Sequence, residues 1–383
     1  MVALQSLLSP QTLTKVISRQ AATSSWLLNL FGIQPGGGSI LNFGHGREGS
    51  YHIYNNVRTI GQLTAPGTAA ARRNPQGVGK VSFTYPRMHD STSMLAEMLH
   101  NLGRINDPRT RDTAGADMLR RQTKTLAQLA ANFRLAQLVG TLRDSLYIKQ
   151  TGDAAYFDFA ASGGGAQIGQ QAARMPAGNK AQLNMLGAGD IIDASWATAT
   201  TDIPGHLGKI NAAFQQLCGG HLSGIVCGTK VWNAVINNEH VAAVHGSANA
   251  PFMVLERAAL DPSVGSTQLN VYRARLNVYP DIIFYITDEG LDVGAPGSET
   301  FTKYVGDNYA LFLGHEPNDD VIGCYQGSEP IAERDGGPED VKVGMASWSV
   351  KRSNPTSTDL FVLDNSLVVN HIPASTAYGE VIF

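Results

Sequence analysis

Residues 109–149 constrain this chain most. They read RTRDTAGADMLRRQTKTLAQLAANFRLAQLVGTLRDSLYIK, with no proline, few β-branched residues and many Ala, Leu, Gln and Arg. Those residues cost least to place in a helix. Leu119, Leu126, Leu129, Phe133 and Ala136 recur at helical spacing, and Leu135, Leu138, Leu142 and Leu146 form a second stripe beside them. Two adjacent apolar stripes predict a helix covered on more than one side, while Arg120, Lys124, Gln128 and Asn132 mark a wetter face. Asp107-Pro108 is a helix-start signal. A helix over the whole stretch would be about 60 Å long. The pattern lacks a sustained heptad, which disfavours a coiled coil. The stretch reads as a spine on which the rest packs, with Gly115 and Gly140 as soft points.

The 383 residues suffice for two to three domains' worth of core. Only 16% are charged, against a usual ~25%. So little charge favours large, mostly neutral contacts, as in an oligomer. The net charge of −3 shows no overall basic excess for nucleic acid. No run of about 18 apolar residues suggests a membrane span. Cys218, Cys227 and Cys324 are too few and scattered for a disulfide framework, and an odd number fits a reducing cytoplasm. No charged n-region precedes Leu4–Leu8, so no signal peptide is expected.

Residues 1–38 read as an N-terminal arm: short amphipathic turns interrupted by Pro10, then the apolar cluster Trp26–Phe31, capped by Ser24 or Ser25. Such a segment either docks on its own domain or fills a groove on a neighbour. Gly36-Gly37-Gly38 reads as a hinge, because no Gly-Lys-Ser/Thr follows to cradle a phosphate. Residues 39–90 alternate as two strands, 50–55 and 80–85, around a small, polar, turn-rich segment holding Arg72 and Arg73. That predicts a projecting hairpin, which needs support because isolated hairpins are marginal. Met94, Leu95, Met98 and Leu99 predict a short helix into the spine.

Beyond the spine, residues 153–160 alternate as a strand, and the Gly-, Gln- and Ala-rich run to Lys180 follows. Asp202-Ile203-Pro204 starts a helix that ends at Gly219-Gly220. Residues 223–228 are a short buried strand, and Thr229 caps a second helix with Val231, Trp232, Val235 and Ile236. This βα pattern points to an α/β unit. Further strands are expected at 269–276, 281–286, 309–314, 346–351, 360–363 and 367–371. The overall class is α+β. No internal repeat is found.

No strong catalytic motif is present: G-x-S-x-G, H-E-x-x-H, a Walker lysine and C-x-x-C are all missing. Cys218, His221 and Cys227, with His206, are the nearest metal candidate, but a Gly-Gly helix end separates the first pair. Buried structural cysteines are the simpler reading, so no metal, catalytic or cofactor site is assigned. Asp288-Glu289 and Asp319-Asp320 fit solvated turns. Arg72-Arg73, Arg120-Arg121 and Lys351-Arg352 fit ion pairing between subunits or with solvent.

The order of parts resembles the HK97-like fold of tailed-bacteriophage major capsid proteins, and is most similar to the lambda-type major head protein family. Trp26–Gly32 resembles that family's apolar arm motif. Residues 214–241 (FQQLCGGHLSGIVCGTKVWNAVINNEHV) resemble its helix, short strand and helix. Residues 279–314 resemble its "Y-x-D…D-G…F-I-P-D-x-x-x-x-L-L-P" passage, with Gly306 and Gly314 where prolines are expected.

The resemblance implies a non-enzymatic shell subunit. It would assemble as hexamers and pentamers into an icosahedral head around double-stranded DNA held without sequence specificity, built in the host cytoplasm and residing in the virion. It implies an arm (1–38), an extended hairpin loop (39–90), a peripheral domain with the spine helix (91–185), an axial α/β domain (186–330) and returning strands (331–383). Partners would be further copies of the chain, a scaffolding protein, a portal and a decoration protein, with no membrane. Trp26, Leu27, Leu28, Phe31, Arg72 and Arg73 are the candidate assembly-interface residues. Rival readings are an encapsulin-like compartment shell, an α/β enzyme with a pocket near Gly219–Thr229, and a tail or baseplate component.

Overall fold

The structure is a computed structural model that describes residues 10–22, 25–34, 40–42, 48–53, 79–95, 108–143, 147–151, 154–159, 166–167, 191–245, 253–259, 268–276, 279–316, 321–332, 339–353 and 356–383. The first half holds α1 (Pro10–Ala22), α2 (Trp26–Leu30), β1 (Ile40–Asn42), β2 (Glu48–Ile53), β3 (Gly79–Thr84), β4 (Arg87–Leu95) and α3 (Pro108–Arg143). Three short strands follow: β5 (Tyr147–Thr151), β6 (Ala154–Asp158) and β7 (Ala166–Gln167). Then come α4 (Ile203–Leu217), β8 (Gly224–Cys227), α5 (Thr229–Ile236), α6 (Glu239–His245), β9 (Met253–Ala259), β10 (Gln268–Leu276) and β11 (Tyr279–Ile286). The remainder is β12 (Gly290–Val293), β13 (Thr300–Lys303), β14 (Tyr309–Leu313), β15 (Ile322–Gln326), β16 (Ser328–Ala332), β17 (Glu339–Val343), β18 (Met345–Ser353), β19 (Thr356–Asn370) and β20 (Thr376–Glu380). The class is mixed α and β, as expected.

The spine α3 runs 36 residues, about 54 Å. Leu119, Leu126, Leu135, Ala136, Leu138 and Leu142 are buried, and Arg120, Lys124, Gln128 and Asn132 are exposed. Both predicted faces are therefore present. Leu129 is exposed instead of buried, and Phe133 is half-buried, stacked on Phe157 of β6. The spine lies along β19, a 15-residue strand. β18 and β4 pair antiparallel on the two sides of its first half. β15 pairs with its second half, and β1 adds parallel to β15.

The second sheet has the order β20-β14-β8-β11-β10-β9. β8 and β11 are parallel and the other pairs antiparallel. Strand alternation divides its side chains between two cores. Ile225, Cys227, Phe284, Ile286, Ala310 and Phe312 join Ile210, Phe214 and Val231 of the covering helices. Val226, Tyr285, Leu311 and Leu313 face the core that holds the spine.

Several expectations change. Pro10 opens α1 rather than interrupting it, which suits a residue tolerated in the first helical turn. Met94 and Leu95 end a strand instead of starting a helix, because β19 supplies the pairing edge. Lys149 lies in β5, paired with β6, so the spine stops at Arg143. The two expected strands 360–363 and 367–371 are one strand. Gly228, not Thr229, is the N-cap of α5. β15, within the expected 186–330 unit, pairs with β19 of the spine's sheet, and β20, among the expected returning strands, pairs with β14 of the second sheet. The triple glycine 36–38, the hairpin segment with Arg72 and Arg73, Met98-Leu99, Leu146, Asp319-Asp320 and the run before Lys180 lie outside the described residues.

Candidate assembly surfaces

The arm is built from local signals. Ser25 Oγ accepts from the Leu28 amide at 3.4 Å, capping α2. Gly32, at φ +65°, ends the segment in the left-handed region that favours glycine. Trp26, Leu27, Leu28 and Phe31 are all 5% exposed or less and share one core with Ala127, Ala130 and Ala131 of the spine. Small spine residues let a second helix approach closely. Trp26 also stacks on Tyr285 with centroids 5.8 Å apart, and its indole N–H donates to Glu289 Oε2 at 2.9 Å. Glu289 sits just past β11, so this side chain ties the arm to the second sheet. These four interface candidates thus fill a groove of their own chain. Within the single chain the arm packs on the apolar surface that the spine and Tyr285 offer. Ahead of α2, Leu13, Ile17 and Ala21 of α1 join the same core, and Thr14 bonds Ser347 of β18.

The base of the hairpin is supported in the way its marginal stability requires. β2 and β3 pair antiparallel. Tyr51, Val81, Phe83 and Tyr85 are buried, while Lys80, Ser82 and Thr84 are exposed. Tyr51 and Phe83 contact Tyr325 of β15 at ring separations of 5.9 and 6.1 Å. His371 faces the His52 carbonyl through Nδ1 at 2.8 Å and the Tyr325 hydroxyl through Nε2 at 3.3 Å. A carbonyl can only accept, so Nδ1 carries the proton and Nε2 accepts from Tyr325. Burial pushes the Tyr85 hydroxyl up to about 12.

The candidate chemical groups are structural. His206 accepts from Trp196 at 3.1 Å and faces Asp193 at 2.8 Å. The Cys218 thiol donates to the Phe214 carbonyl, and Cys227 lies in the wholly buried strand β8. No three His, Cys, Asp or Glu residues gather as a metal site among the described residues. Asp288 accepts from the Thr229 hydroxyl and from Lys303 at 3.0 Å. In the Gly219–Thr229 stretch, Gly219, His221 and Thr229 are exposed, residues 222–228 are buried, and a Cβ at Gly220 would fall on the Gly314 carbonyl.

Two solvent-facing surfaces flank the long-stranded sheet. On one side the exposed faces of α1 and α3 form a helical layer. On the other, His89 of β4 lies in ring contact with Trp348 at 5.6 Å and Phe361 at 5.6 Å, and those two stack at 5.5 Å. Burial first, and the Arg87 charge second, hold the His89 imidazole below its ordinary value. Sequence reasoning found the strands bearing Trp348 and Phe361 but not this ring cluster, because cross-strand register joins residues far apart in the chain.

No protein-family model matches the sequence, and no curated protein matches it. Solved structures do. A prophage protein of Escherichia coli CFT073 described as a capsid protein has a TM-score of 0.55 and 12% identity, over 98% of this chain and 99% of that one. A phage-related protein from Bordetella bronchiseptica RB50 has a TM-score of 0.49 and 9% identity, over 96% of each chain. An encapsulin from Synechococcus elongatus PCC 7942 has a TM-score of 0.42 and 8% identity, over 94% and 88%. The end-to-end match to the first of these, with the spine helix, the paired β2 and β3 strands and the two-faced second sheet, establishes that this chain has the HK97-like fold.

Proposed function

We propose that this chain is the major capsid protein of a tailed bacteriophage or prophage, a subunit that assembles into a closed shell. The observation that carries the proposal is the likeness to the prophage protein described as a capsid protein, which spans both chains almost completely. The architecture suits that role. The arm, spine and long sheet share one core, and the paired strands β2 and β3, between which the expected hairpin runs, pack on Tyr325 and His371. Many modest contacts between such bodies let misplaced subunits leave and still hold a finished shell. Scaffolding, portal and decoration proteins are the partners that assembly would require, and packaged double-stranded DNA is the cargo.

The test is expression of the full chain, followed by size-exclusion chromatography and electron microscopy of the product. Closed particles with hexameric and pentameric clusters support the proposal. A stable monomer at high concentration, or tubes without pentamers, overturns it. Particles loaded with a specific host enzyme instead of nucleic acid point to a compartment shell.

A further inference from the structure

The net charge of −3 conceals a segregation that only the fold reveals. α1 and α3 pack on each other, α1 also meets β18, and α3 meets β19 and β4, so both helices lie on one side of one sheet. Their solvent-facing positions include Lys15, Arg19, Arg120, Arg121 and Lys124, against a single exposed carboxylate, Asp117, among the described side chains. Elsewhere exposed carboxylates dominate, among them Asp90, Asp193, Asp281, Asp292, Glu299 and Glu316. The five cations form no ion pair among the described residues, whereas Arg87, Lys209 and Lys303 each have a carboxylate partner. Lys15 and Arg19 stand one turn apart on α1, and Arg120 and Lys124 one turn apart on α3. The exposed stripe of α3 continues with the neutral polar groups Gln128 and Asn132, which can donate to phosphate oxygens.

We propose that this helical layer is a nucleic-acid surface that contacts the phosphate backbone of double-stranded DNA without reading sequence. The layer's charge excess is of the sign and the unneutralised kind that counterion release rewards. Both helices are packed on each other and on the sheet, and no exposed aromatic platform accompanies the cations among their described residues, so backbone contact, not base readout, is what the layer can provide. The inference rests on the shell reading only for its consequence, that this layer lines the inside of the particle. The aromatic face of His89, Trp348 and Phe361 then points the other way.

The test uses the full-length protein and a fluorescent 24-base-pair duplex, read by anisotropy between about 50 and 200 mM salt. A variant carrying K15Q, R19Q, R120Q, R121Q and K124Q keeps helix-compatible side chains at exposed positions. Its melting curve confirms folding. The control variant K80Q/R275Q/K351Q removes exposed cations elsewhere. Wild type is expected to bind with an affinity that falls steeply with salt. The helical-layer variant should bind at least tenfold more weakly, with a salt slope shallower by roughly one for each phosphate no longer neutralised. The control should bind as wild type does. Equal loss in both variants, no loss in the helical-layer variant, or no duplex binding by wild type at low salt each overturns the proposal. So does tighter binding of polyglutamate than of the duplex, which would assign the layer to an acidic protein. Particle formation is read separately by microscopy of the same preparations. Particles without layer-dependent DNA binding sink this inference alone, and DNA binding without particles sinks the shell reading alone.

Discussion

Arg134 of the spine and Asp364 of the long strand meet through two bonds, Nε to Oδ2 at 2.6 Å and Nη2 to Oδ1 at 3.1 Å, with both side chains closed to solvent. A third N–H of Arg134 donates to the Ile33 carbonyl at 3.2 Å, just past the arm helix. One guanidinium therefore joins arm, spine and sheet. Burial drives its pKa down, but the adjacent carboxylate more than offsets this and holds it above the ordinary arginine value.

Breaking this pair by Asp364→Asn should cost about 3–5 kcal/mol, because it strands a buried charge. Arg134→Met alone should cost a similar amount. The double variant Arg134→Met, Asp364→Leu removes both charges and should recover much of that loss. Urea unfolding of the unassembled subunit measures all three. Equal and additive losses would mean that the pair contributes no coupling.

Glu289 gives a pH-dependent counterpart. Its carboxylate is pushed above the ordinary carboxylate range by burial, with the Trp26 indole bond opposing. A raised folded-state value means that the charged form is disfavoured in the fold. Stability from this group is therefore fully present below the unfolded value and lost as pH rises through the folded one. Glu289→Gln keeps an acceptor for Trp26 and removes the charge. It should match wild type near pH 4 and equal or exceed it at pH 7. Melting temperatures of the two proteins across that range check the sign, and a gap that narrows toward pH 7 contradicts the assignment. Glu289→Ala, which leaves the indole N–H unpaired, should be about 1 kcal/mol less stable than Glu289→Gln at every pH.

The three cysteines make a prediction about reactivity. All are buried and none is in a disulfide. Burial pushes the Cys227 thiol up to about 12 and the Cys324 thiol up to about 11. The thiolate is the reactive form, so at pH 8 the folded subunit should react negligibly with an aromatic disulfide reagent. In denaturant all three should react at once. Fast modification of any thiol in the native subunit would show that one of these strands opens readily.

Much of this architecture was legible because it is written in local periodicity. The spine's buried and wet faces, the Ser25 cap, the Asp202 start of α4 and the hairpin strands follow from spacing and cap chemistry. What was not legible depends on partners far away in the chain. Asp364-Asn365-Ser366 has the composition of a turn, so it appeared to split one strand into two. In the fold these polar residues are buried within β19, Asp364 by pairing with Arg134 and Asn365 by donating to Glu329 at 2.7 Å. Met94 and Leu95 look helical until β19 lies beside them. The arm's apolar face announced that it must be covered but not by what. The basic layer was hidden for a related reason: Lys15 and Arg19 are about a hundred residues from Arg120 in the chain, and only the packing of α1 on α3 brings their helices into one layer.

The location of the arm changes what its removal should do. If Trp26, Leu27, Leu28 and Phe31 only reached a neighbour, deleting residues 1–32 would leave sound subunits that fail to close shells. In the fold these residues complete the subunit's own core. Their loss would uncover Ala127, Ala130 and Ala131 on the spine and leave Glu289 without its indole donor. The deletion should therefore give an aggregation-prone or unfolded subunit instead of a soluble one. Leu28→Ala, at a fully buried position, should by itself cost about 2–5 kcal/mol. Arg134 would keep its backbone acceptor in that point variant, so the damage should stay local. Circular dichroism and urea melts of the truncated and point variants, taken before any assembly step, decide between the two accounts. A cooperatively folded truncated monomer that merely fails to assemble would return the arm to the interface.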